Sequence, residues 1–456
     1  MDLRGKNVLV VGLGRSGAAV AQLCANRGAT VTVTDKQPAE RLAAVVAGLP
    51  AAVVRELGGH RPDSFLKADL VVLSPGVPDL PEIVAARAAG VPVTGELELA
   101  ARFVTAAIIA ITGTNGKSTT TSLTGDMVKT TGRPTFVGGN LGEPLAEAVD
   151  TAAAGPEGVC VVECSSFQLE TVERFHPRVS VFLNLTDDHL DRHADLEAYG
   201  QAKARVFAAQ DSGDFLVANV DDAAVARLAA TARARVVPIS TRRSLDEGGW
   251  FEGDALCVRL PGGVTERYRS SLPGRHNREN VLASLCAARL VGATSEGAQR
   301  ALDAFRPLAH RMALVAEVDG VAFFDDSKGT NVGAVVAAID GFGRPVVLIA
   351  GGRDKGGDYA PLVEALGRVG RAVVLIGEAA ERIENAARGT LPVERAASLE
   401  QAVVAAARLA QPGDAVVLSP ACSSFDMFRD YRHRADVFCA AVHGFVAARA
   451  GGKAAR

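Results

Sequence analysis

Short apolar runs rich in β-branched residues alternate with alanine-rich amphipathic stretches through most of this chain. The runs include Asn7–Val11, Thr30–Thr34, Leu70–Leu73, Ala107–Thr112, Gly158–Glu163, Val179–Leu185, Pro345–Ala350, Ala372–Gly377 and Ala415–Ser419, bounded by Gly, Pro, Asp or Asn. Runs that are apolar at successive positions fit parallel strands covered on both faces. With helices between them they make βαβ units, so the expected fold class is α/β.

Two breaks divide the chain. One lies near Val93-Thr94-Gly95-Glu96, where a strand ends just before a helix over Leu97–Phe103 and a new strand starts at Ala107. The other lies near Arg306-Pro307-Leu308, after an alanine-rich helix over Glu279–Leu290 and its successor. At roughly 100–200 residues per domain, the 456 residues then make three domains, 1–95, 96–306 and 307–456. Trp250–Tyr268 reads as a polar, Gly-punctuated hairpin, and Ala447–Arg456 as a frayed basic tail.

Composition removes several function classes. A net charge of -3 lacks the basic excess of a nucleic-acid binder, so no nucleic-acid partner is expected. No apolar run reaches the length of about eighteen residues that a membrane-spanning helix needs. The start, MDLRGKNVLVVGLG, runs straight into a strand and turn without a basic region and cleavable apolar segment. A cytoplasmic protein with no membrane partner is expected. The seven cysteines are odd in number and contain no C-x-x-C pair, which disfavours a disulfide framework or structural zinc and suits small core hydrophobes.

Two glycine loops carry phosphate-binding chemistry. Val8–Val11 leads into Gly12-Leu13-Gly14-Arg15-Ser16-Gly17, a strand followed by G-x-G-x-x-G, and Asp35 ends the next strand. Taken alone, this is the pattern of a dinucleotide-binding Rossmann domain. The second loop, Thr112-Gly113-Thr114-Asn115-Gly116-Lys117-Ser118-Thr119-Thr120, follows the strand Ala107–Thr112. It ends as a Walker A loop does, although Ile111 stands where the full pattern has glycine. Backbone N–H groups around Gly113–Lys117 can wrap phosphates, Lys117 can add a point charge, and Ser118 can ligate Mg²⁺.

The stretch T-G-T-N-G-K-S-T resembles the ATP loop of the Mur ligases and of their folylpolyglutamate synthase relatives. That family comprises ATP-driven carboxylate–amine ligases, and the likeness extends over nearly the whole chain. It implies an N-terminal Rossmann-like UDP-binding domain, a central P-loop-like ATP-binding domain and a C-terminal Rossmann-like domain that binds an amino acid. Gly113, Thr114, Asn115, Gly116, Lys117, Ser118 and Thr119 are then expected to hold ATP.

Three further segments concern metal ions. Glu163-Cys164-Ser165-Ser166-Phe167-Gln168-Leu169 resembles the family's E-x-S-S-F-Q-L, in which the Glu binds Mg²⁺; Cys164 replaces a more usual aliphatic residue. On composition alone Glu163 is a solvated strand-end carboxylate. Asn184-Leu-Thr-Asp187-Asp188-His189-Leu190-Asp191-Arg192-His193 resembles N-x-T-x-D-H-x-D-x-H, which places His189 on a second Mg²⁺. The i, i+4 spacing of His189 and His193 would also suit zinc on a helix, but nothing nearby completes a zinc set. Lys203, on composition alone a solvated lysine, falls where the family pattern Y-x-x-A-K-x-x-[IV] has a lysine carbamylated by CO₂. Carbamylation needs an uncharged amine, which burial or nearby cations favour.

The remaining likenesses lie at expected strand ends. In Gly274–Asn280, Asn280 is expected near the adenine, and Asn277 could also cap the following helix. Pro307–Met312 resembles a hinge segment whose Arg311 reaches the γ-phosphate from the mobile third domain, with Leu308 and Ala309 inserted between Pro and His. Asp325–Asn331 resembles D-S-K-[AG]-T-N, with Asp326 near the ribose and Lys328 and Thr330 near the incoming amino acid. In the branch of the family that adds D-glutamate, positions matching Lys355, Ser424 and Tyr431 hold that amino acid. Gly14, Arg15, Ser16, Gly17, Asp35, Lys36, Ser74, Pro75, Gly76 and Asn140 would hold the UDP-sugar substrate.

The resemblance thus implies ligation of D-glutamate to UDP-N-acetylmuramoyl-L-alanine through an acyl phosphate. ATP, two Mg²⁺ ions and a carbamate on Lys203 would take part, with Lys117, His189, Lys203 and Arg311 as catalytic residues, in a monomer. Other functions stay open on the residues: a ligase for another amino acid or for folate, an NAD(P) oxidoreductase, or a nucleotide sensor without turnover. The oxidoreductase leaves Thr112–Thr120 without a purpose, and the G-L-G-x-S-G start disfavours a folate enzyme.

Overall fold

The computed structural model describes residues 1–454 apart from Leu190, Asp191, Pro273 and Gly341, and among these residues the strands gather into three sheets. Leu190 and Asp191 of the D-H-x-D segment, and Ala455 and Arg456 of the expected tail, lie outside the described residues. The chain divides into two compact units. The first comprises Met1–Asn184, Gly200–Ser271 and Glu279–Phe305 and holds the first two sheets. The second comprises Leu185–Tyr199, Leu272–Arg278 and Arg306–Arg456 and holds the third.

The first sheet contains β1 (Asn7–Val11), β2 (Thr30–Asp35), β3 (Val54–Leu57), β4 (Leu70–Leu73) and β5 (Val93–Gly95), all parallel, in the order β3-β2-β1-β4-β5. The strand order reverses between β1 and β4. Open α/β sheets place ligands at such a switch, beyond the strands' C-terminal ends.

The second sheet holds β6 (Ala107–Thr112), β7 (Thr135–Gly139), β8 (Val159–Glu163), β9 (Val179–Phe182), β10 (Phe215–Asn219), β11 (Arg235–Ile239), β12 (Gly248–Glu252), β13 (Ala255–Arg259) and β14 (Glu266–Tyr268). Its order is β14-β13-β12-β11-β10-β9-β6-β8-β7. Strand β6 lies between β8 and β9, with Ile111 opposite Glu163 and Thr112 opposite Phe182. The ends of three strands therefore meet at one edge. The hairpin expected over Trp250–Tyr268 is the antiparallel pair β12–β13, and β14 extends it.

The third sheet comprises β15 (Ala313–Val318), β16 (Val321–Asp325), β17 (Val346–Gly351), β18 (Gly370–Ile376), β19 (Val393–Arg395) and β20 (Ala415–Leu418), in the order β15-β16-β20-β17-β18-β19. Only β15 runs antiparallel to its neighbour. Its apolar runs show why continuous hydrophobicity marks a central strand. Val346, Leu348, Val373, Leu375 and Val417 enter one core, while Val347, Ile349, Val374, Ile376, Val416 and Leu418 enter the other. Alternate side chains leave opposite faces, and each such burial stabilises the fold by about 1.5–3 kcal/mol.

Three local expectations need correction. The helix expected over Glu279–Leu290 begins at Arg275, so Asn277 lies within its first turn and not ahead of it; the Gly274 carbonyl accepts from the Asn277 amide at 3.2 Å. The expected frayed tail is part of a helix over Tyr431–Ala454. Ala435, Phe438 and Val442 bury one stripe of that helix, and the alanines that follow favour its continuation. His189 and His193 are not on a helix, although the His193 amide does donate to the His189 carbonyl at 3.0 Å. All seven cysteines are free, and six are buried. No helix among the described residues is long and apolar enough to cross a membrane.

Candidate active site

The first glycine loop is built across the switch between β1 and β4. Ser74, after β4, donates its hydroxyl to the Gly12 carbonyl at 2.6 Å. Asp35 accepts the Leu13 amide at 2.7 Å on one oxygen and the Gln37 amide at 2.8 Å on the other. Its carboxylate thus shapes the loop. Gly14 precedes the helix Arg15–Asn26 and supplies no side-chain cap, which leaves N–H groups of the first turn for an anion. Arg15 donates to the Gly142 carbonyl at 2.8 Å and lies 3.1 Å from a Glu143 oxygen, so it is engaged with the loop after β7. Ser16 and Gly17 lie in the first turn of that helix, and Lys36, Pro75 and Gly76 on the loops after β2 and β4, with Lys36 and Gly76 exposed.

The second loop leaves β6 and enters the helix Lys117–Lys129 through Gly116, whose φ is 85°. That conformation favours glycine. A β-carbon there would also strike Asn280 Oδ1, which receives the Thr120 hydroxyl at 3.3 Å. Asn184, after β9, clamps the loop from the other side. Its carbonyl accepts the Thr114 amide at 2.9 Å and its side-chain oxygen accepts the Asn115 amide at 2.8 Å. Lys117 folds back to donate to the Gly113 and Thr114 carbonyls at 3.0 and 2.8 Å. Ser118 and Thr119 are buried at the helix start.

Glu163 and Lys203 depart from what their composition suggests. Glu163 is 2% exposed and Lys203 is 1% exposed. Burial follows from position, because β8 is flanked by β6 and β7 and the helix Leu196–Ala204 packs Lys203 inward. Lys203 Nζ donates to the Gly113 carbonyl at 2.8 Å, the same oxygen that Lys117 uses. Asn140 donates to Glu163 Oε1 at 2.7 Å. Glu163 Oε2 is buried without a hydrogen-bond partner among the described residues. An orphaned carboxylate oxygen beside a phosphate loop fits a hard divalent cation, which prefers oxygen ligands. Cys164 is buried, and burial pushes its thiol well above the ordinary value, as a small apolar core residue requires.

The second unit gathers a separate set. His189 sits in the left-handed region with φ 55°, and its Nε2 lies 3.7 Å from Asp188 Oδ2. Asp188 accepts Lys355 Nζ at 2.9 Å and Asn331 Nδ2 at 3.1 Å. His310 and Met312, on either side of Arg311, have φ of 62° and 49°. This segment is pinned to the end of β16: His310 Nδ1 lies 2.7 Å from Asp325 Oδ2, and the Met312 amide donates to Asp326 at 3.3 Å. Burial pushes the Asp326 carboxyl up to about 7, opposed by the Ser419 hydroxyl bond at 2.6 Å and by the Arg311 charge.

Lys328 Nζ stands 4.1 Å from the centre of the Tyr431 ring, so two of the expected amino-acid residues meet. Thr330 follows in the same turn, its amide donating to the Lys328 carbonyl at 2.9 Å. Ser424 is buried in the loop after β20. Arg434, fully buried, ties that loop to the one after β16 by donating to the Cys422 and Ser327 carbonyls at 3.2 and 2.8 Å. Asp188, Asn331 and Arg434 were not assigned roles from sequence. Asp188 and Asn331 stand inside matched motifs, whereas nothing in a lone helical arginine signals burial.

Comparison with known proteins accords with these loops. Residues 6–95 match the Mur ligase MurD-like N-terminal domain, 111–288 the Mur ligase middle domain, and 310–422 the Mur ligase glutamate ligase domain. A UDP-N-acetylmuramoylalanine--D-glutamate ligase of Geotalea daltonii is 48% identical over 446 residues, covering 97% of this chain and 98% of that protein. A protein of the same name from Anaeromyxobacter dehalogenans is 49% identical over 455 residues, covering 96% and 97%. Among solved structures, the UDP-N-acetylmuramate–alanine ligase of Thermotoga maritima aligns with a TM-score of 0.61 at 19% identity, covering 96% of this chain and 99% of that one. At that identity the likeness speaks for the fold, three α/β domains. From its three matched domains and its relatives along nearly the whole chain, this protein belongs to the Mur ligase family.

Proposed function

We propose that this protein joins D-glutamate to UDP-N-acetylmuramoyl-L-alanine at the expense of ATP, in the synthesis of peptidoglycan precursors. Its relatives at 48–49% identity carry that activity in their names. The observation that carries the proposal is the meeting of Lys117 and Lys203 on one loop carbonyl, Gly113, one strand over from the orphaned oxygen of Glu163. A phosphate loop, a second buried amine and an acidic strand end are what phosphoryl transfer to a carboxylate needs.

A carboxylate is a poor electrophile, because its leaving group would be an oxide. ATP removes that obstacle. The L-alanine carboxylate attacks the γ-phosphorus, the bond to the β,γ-bridging oxygen breaks, and ADP leaves with the electron pair. The uncharged amine of D-glutamate then attacks the acyl carbon, the carbon–oxygen bond breaks, and inorganic phosphate departs. The nitrogen loses its extra proton to leave the amide.

The residues supply charge and position. Backbone N–H groups of Gly113–Lys117 cradle the phosphates. Lys117 exchanges its two carbonyl acceptors for phosphate oxygens, and Arg311 is assigned to the transferring phosphoryl group. Ser118, Glu163, His189 and a carbamylated Lys203 would hold two Mg²⁺ ions, which when bound offset phosphate charge. Lys203 is buried and its Nζ shares the Gly113 carbonyl with Lys117, which places the amine to be carbamylated beside the phosphate loop. Asn280 and Asp326 are assigned to the adenosine. The first glycine loop, Asp35, Lys36, Ser74–Gly76 and Asn140 are assigned to the UDP-sugar. Lys328, Thr330, Lys355, Ser424 and Tyr431 are assigned to D-glutamate. Domain limits of 1–95, 96–306 and 307–456 and a cytoplasmic monomer complete the proposal.

Oxygen-18 in the L-alanine carboxylate tests the chemistry. An acyl phosphate transfers one labelled oxygen to the released phosphate. Unlabelled phosphate, formed with amide product, would rule that intermediate out.

A further inference from the structure

The first sheet passes to the second through a short helix, Glu96–Ala101, that follows β5 without an intervening loop. Its first five residues are buried, and two of them are carboxylates, Glu96 and Glu98. Buried carboxylates are costly unless hydrogen-bonded, so where their bonds go is informative. Glu98 Oε2 accepts three successive backbone amides, those of Glu173, Arg174 and Phe175, at 3.0, 3.0 and 2.9 Å. Its other oxygen accepts Arg102 Nε at 3.0 Å. Glu96 Oε1 accepts the Ala146 amide at 2.8 Å, and its Oε2 is buried without a partner among the described residues.

The two turns held this way precede and follow Glu163 in the chain. Residues 173–175 end the segment that begins at Glu163 and continues into the short helix Ser166–Leu169, opened by a capping box between Ser165 and Gln168. Residues 145–147 follow the loop from which Asn140 bonds Glu163 twice, side chain to Oε1 at 2.7 Å and amide to the carbonyl at 2.9 Å. Arg15, from the first glycine loop, grips the same loop at Gly142 and Glu143. Gly95 lies so close that a β-carbon would strike the Thr171 hydroxyl. Bonds from the first glycine loop and from the helix that links the two sheets therefore end on the loop that holds Glu163 through Asn140 and on the segment that follows Glu163 in the chain.

We propose that Glu96 and Glu98 are positioning residues for the ligase reaction, setting Asn140 and Glu163 against the first glycine loop so that the carboxylate end of the UDP-sugar meets the metal-binding strand end. The assignment rests on the ligase function proposed above. Neither carboxylate touches substrate; both act through the turns they hold. Loosening them should weaken the UDP-sugar and Mg²⁺ together and leave D-glutamate, assigned to the second unit, unaffected. A pair that merely held the fold would lower the active fraction and leave every Michaelis constant where it was.

The test uses the full chain with Glu98→Gln, Glu98→Ala, Glu96→Ala and Glu96→Gln. Glu98→Gln keeps the shape and loses the charge that strengthens three amide bonds, so it remains informative if Glu98→Ala does not fold. Glu98→Gln and Glu96→Ala are expected to raise the KM for UDP-N-acetylmuramoyl-L-alanine and the Mg²⁺ requirement by roughly tenfold. Calorimetric binding of the UDP-sugar alone should weaken in parallel, with the KM for D-glutamate within about twofold of wild type. Glu96→Gln, isosteric and able to accept from Ala146, should restore most of what Glu96→Ala loses. A lower kcat with unchanged constants, or a D-glutamate KM that rises equally, overturns the proposal while the ligase function stands. A wild-type chain without D-glutamate-dependent turnover overturns the ligase function and this proposal with it.

Discussion

Lys355 Nζ lies 2.9 Å from Asp188 Oδ1, and Asn331 holds the other oxygen of that carboxylate at 3.1 Å. The ammonium assigned to the substrate's carboxylate is thus engaged by the protein's own carboxylate. Under that assignment, D-glutamate would share Lys355 with Asp188 or displace it. Lys355→Ala is expected to raise the KM for D-glutamate by roughly tenfold or more, with the KM for ATP little changed. It should also cost about 1–3 kcal/mol of stability, because Asp188 stays buried with less compensation. An unchanged D-glutamate KM would remove Lys355 from the amino-acid site.

Glu96 gives the protein a pH dependence of defined sign. Burial raises its carboxyl from 4.5 to about 7, against the lowering effect of the Ala146 and Leu145 amides. Between these values the folded chain holds a proton that the unfolded chain has lost. Its contribution is complete below the unfolded value and disappears as pH rises through the folded one, a change of about 3 kcal/mol. Glu96→Gln imitates the protonated group. Unfolding at about pH 5 and about pH 8 should therefore show a smaller loss of stability in Glu96→Gln than in wild type. Equal losses in the two proteins would show that Glu96 is not protonated in the fold.

Gly116 tests the phosphate loop. At φ 85° and against Asn280 Oδ1, an alanine would be strained and would push Asn280 aside. Gly116→Ala should lower kcat/KM for ATP by roughly a hundredfold, through lost N–H geometry at the phosphates. Calorimetric affinity for the UDP-sugar, assigned to the first sheet, should stay close to wild type. Equal loss of both would point to misfolding of the unit.

Lys203 tests the carbamate. Enzyme prepared in CO₂-free buffer is expected to lose most of its turnover and to recover it with bicarbonate. Lys203→Arg, which keeps the charge but forms no such carbamate, should stay inactive with or without bicarbonate. Full turnover without CO₂ would make Lys203 a cation in the site and nothing more.

What could be read from sequence followed from local pattern. Continuous apolar runs marked central strands such as Ile108–Ile111 and Val346–Ala350, because both faces of those strands are covered. Edge or half-exposed strands escaped notice: Val54–Leu57 is polar and partly exposed, and Thr135–Gly139 ends in two glycines. The residues Gly113–Thr119 were legible because a phosphate loop needs contiguous glycines and a lysine. Burial of Glu163 and Lys203 was not, because it arises from neighbours distant in sequence. The Glu98 grip on 173–175 is a pairing across some seventy-five positions, which a single sequence does not encode visibly.

Every residue role assigned above depends on the identity of the ligation. Phosphate release from ATP, measured with UDP-N-acetylmuramoyl-L-alanine and each of D-glutamate, L-glutamate and meso-diaminopimelate, tests it most directly. Release that requires both the UDP-sugar and D-glutamate is the expected result; release with another amino acid in its place, or with none, would contradict it.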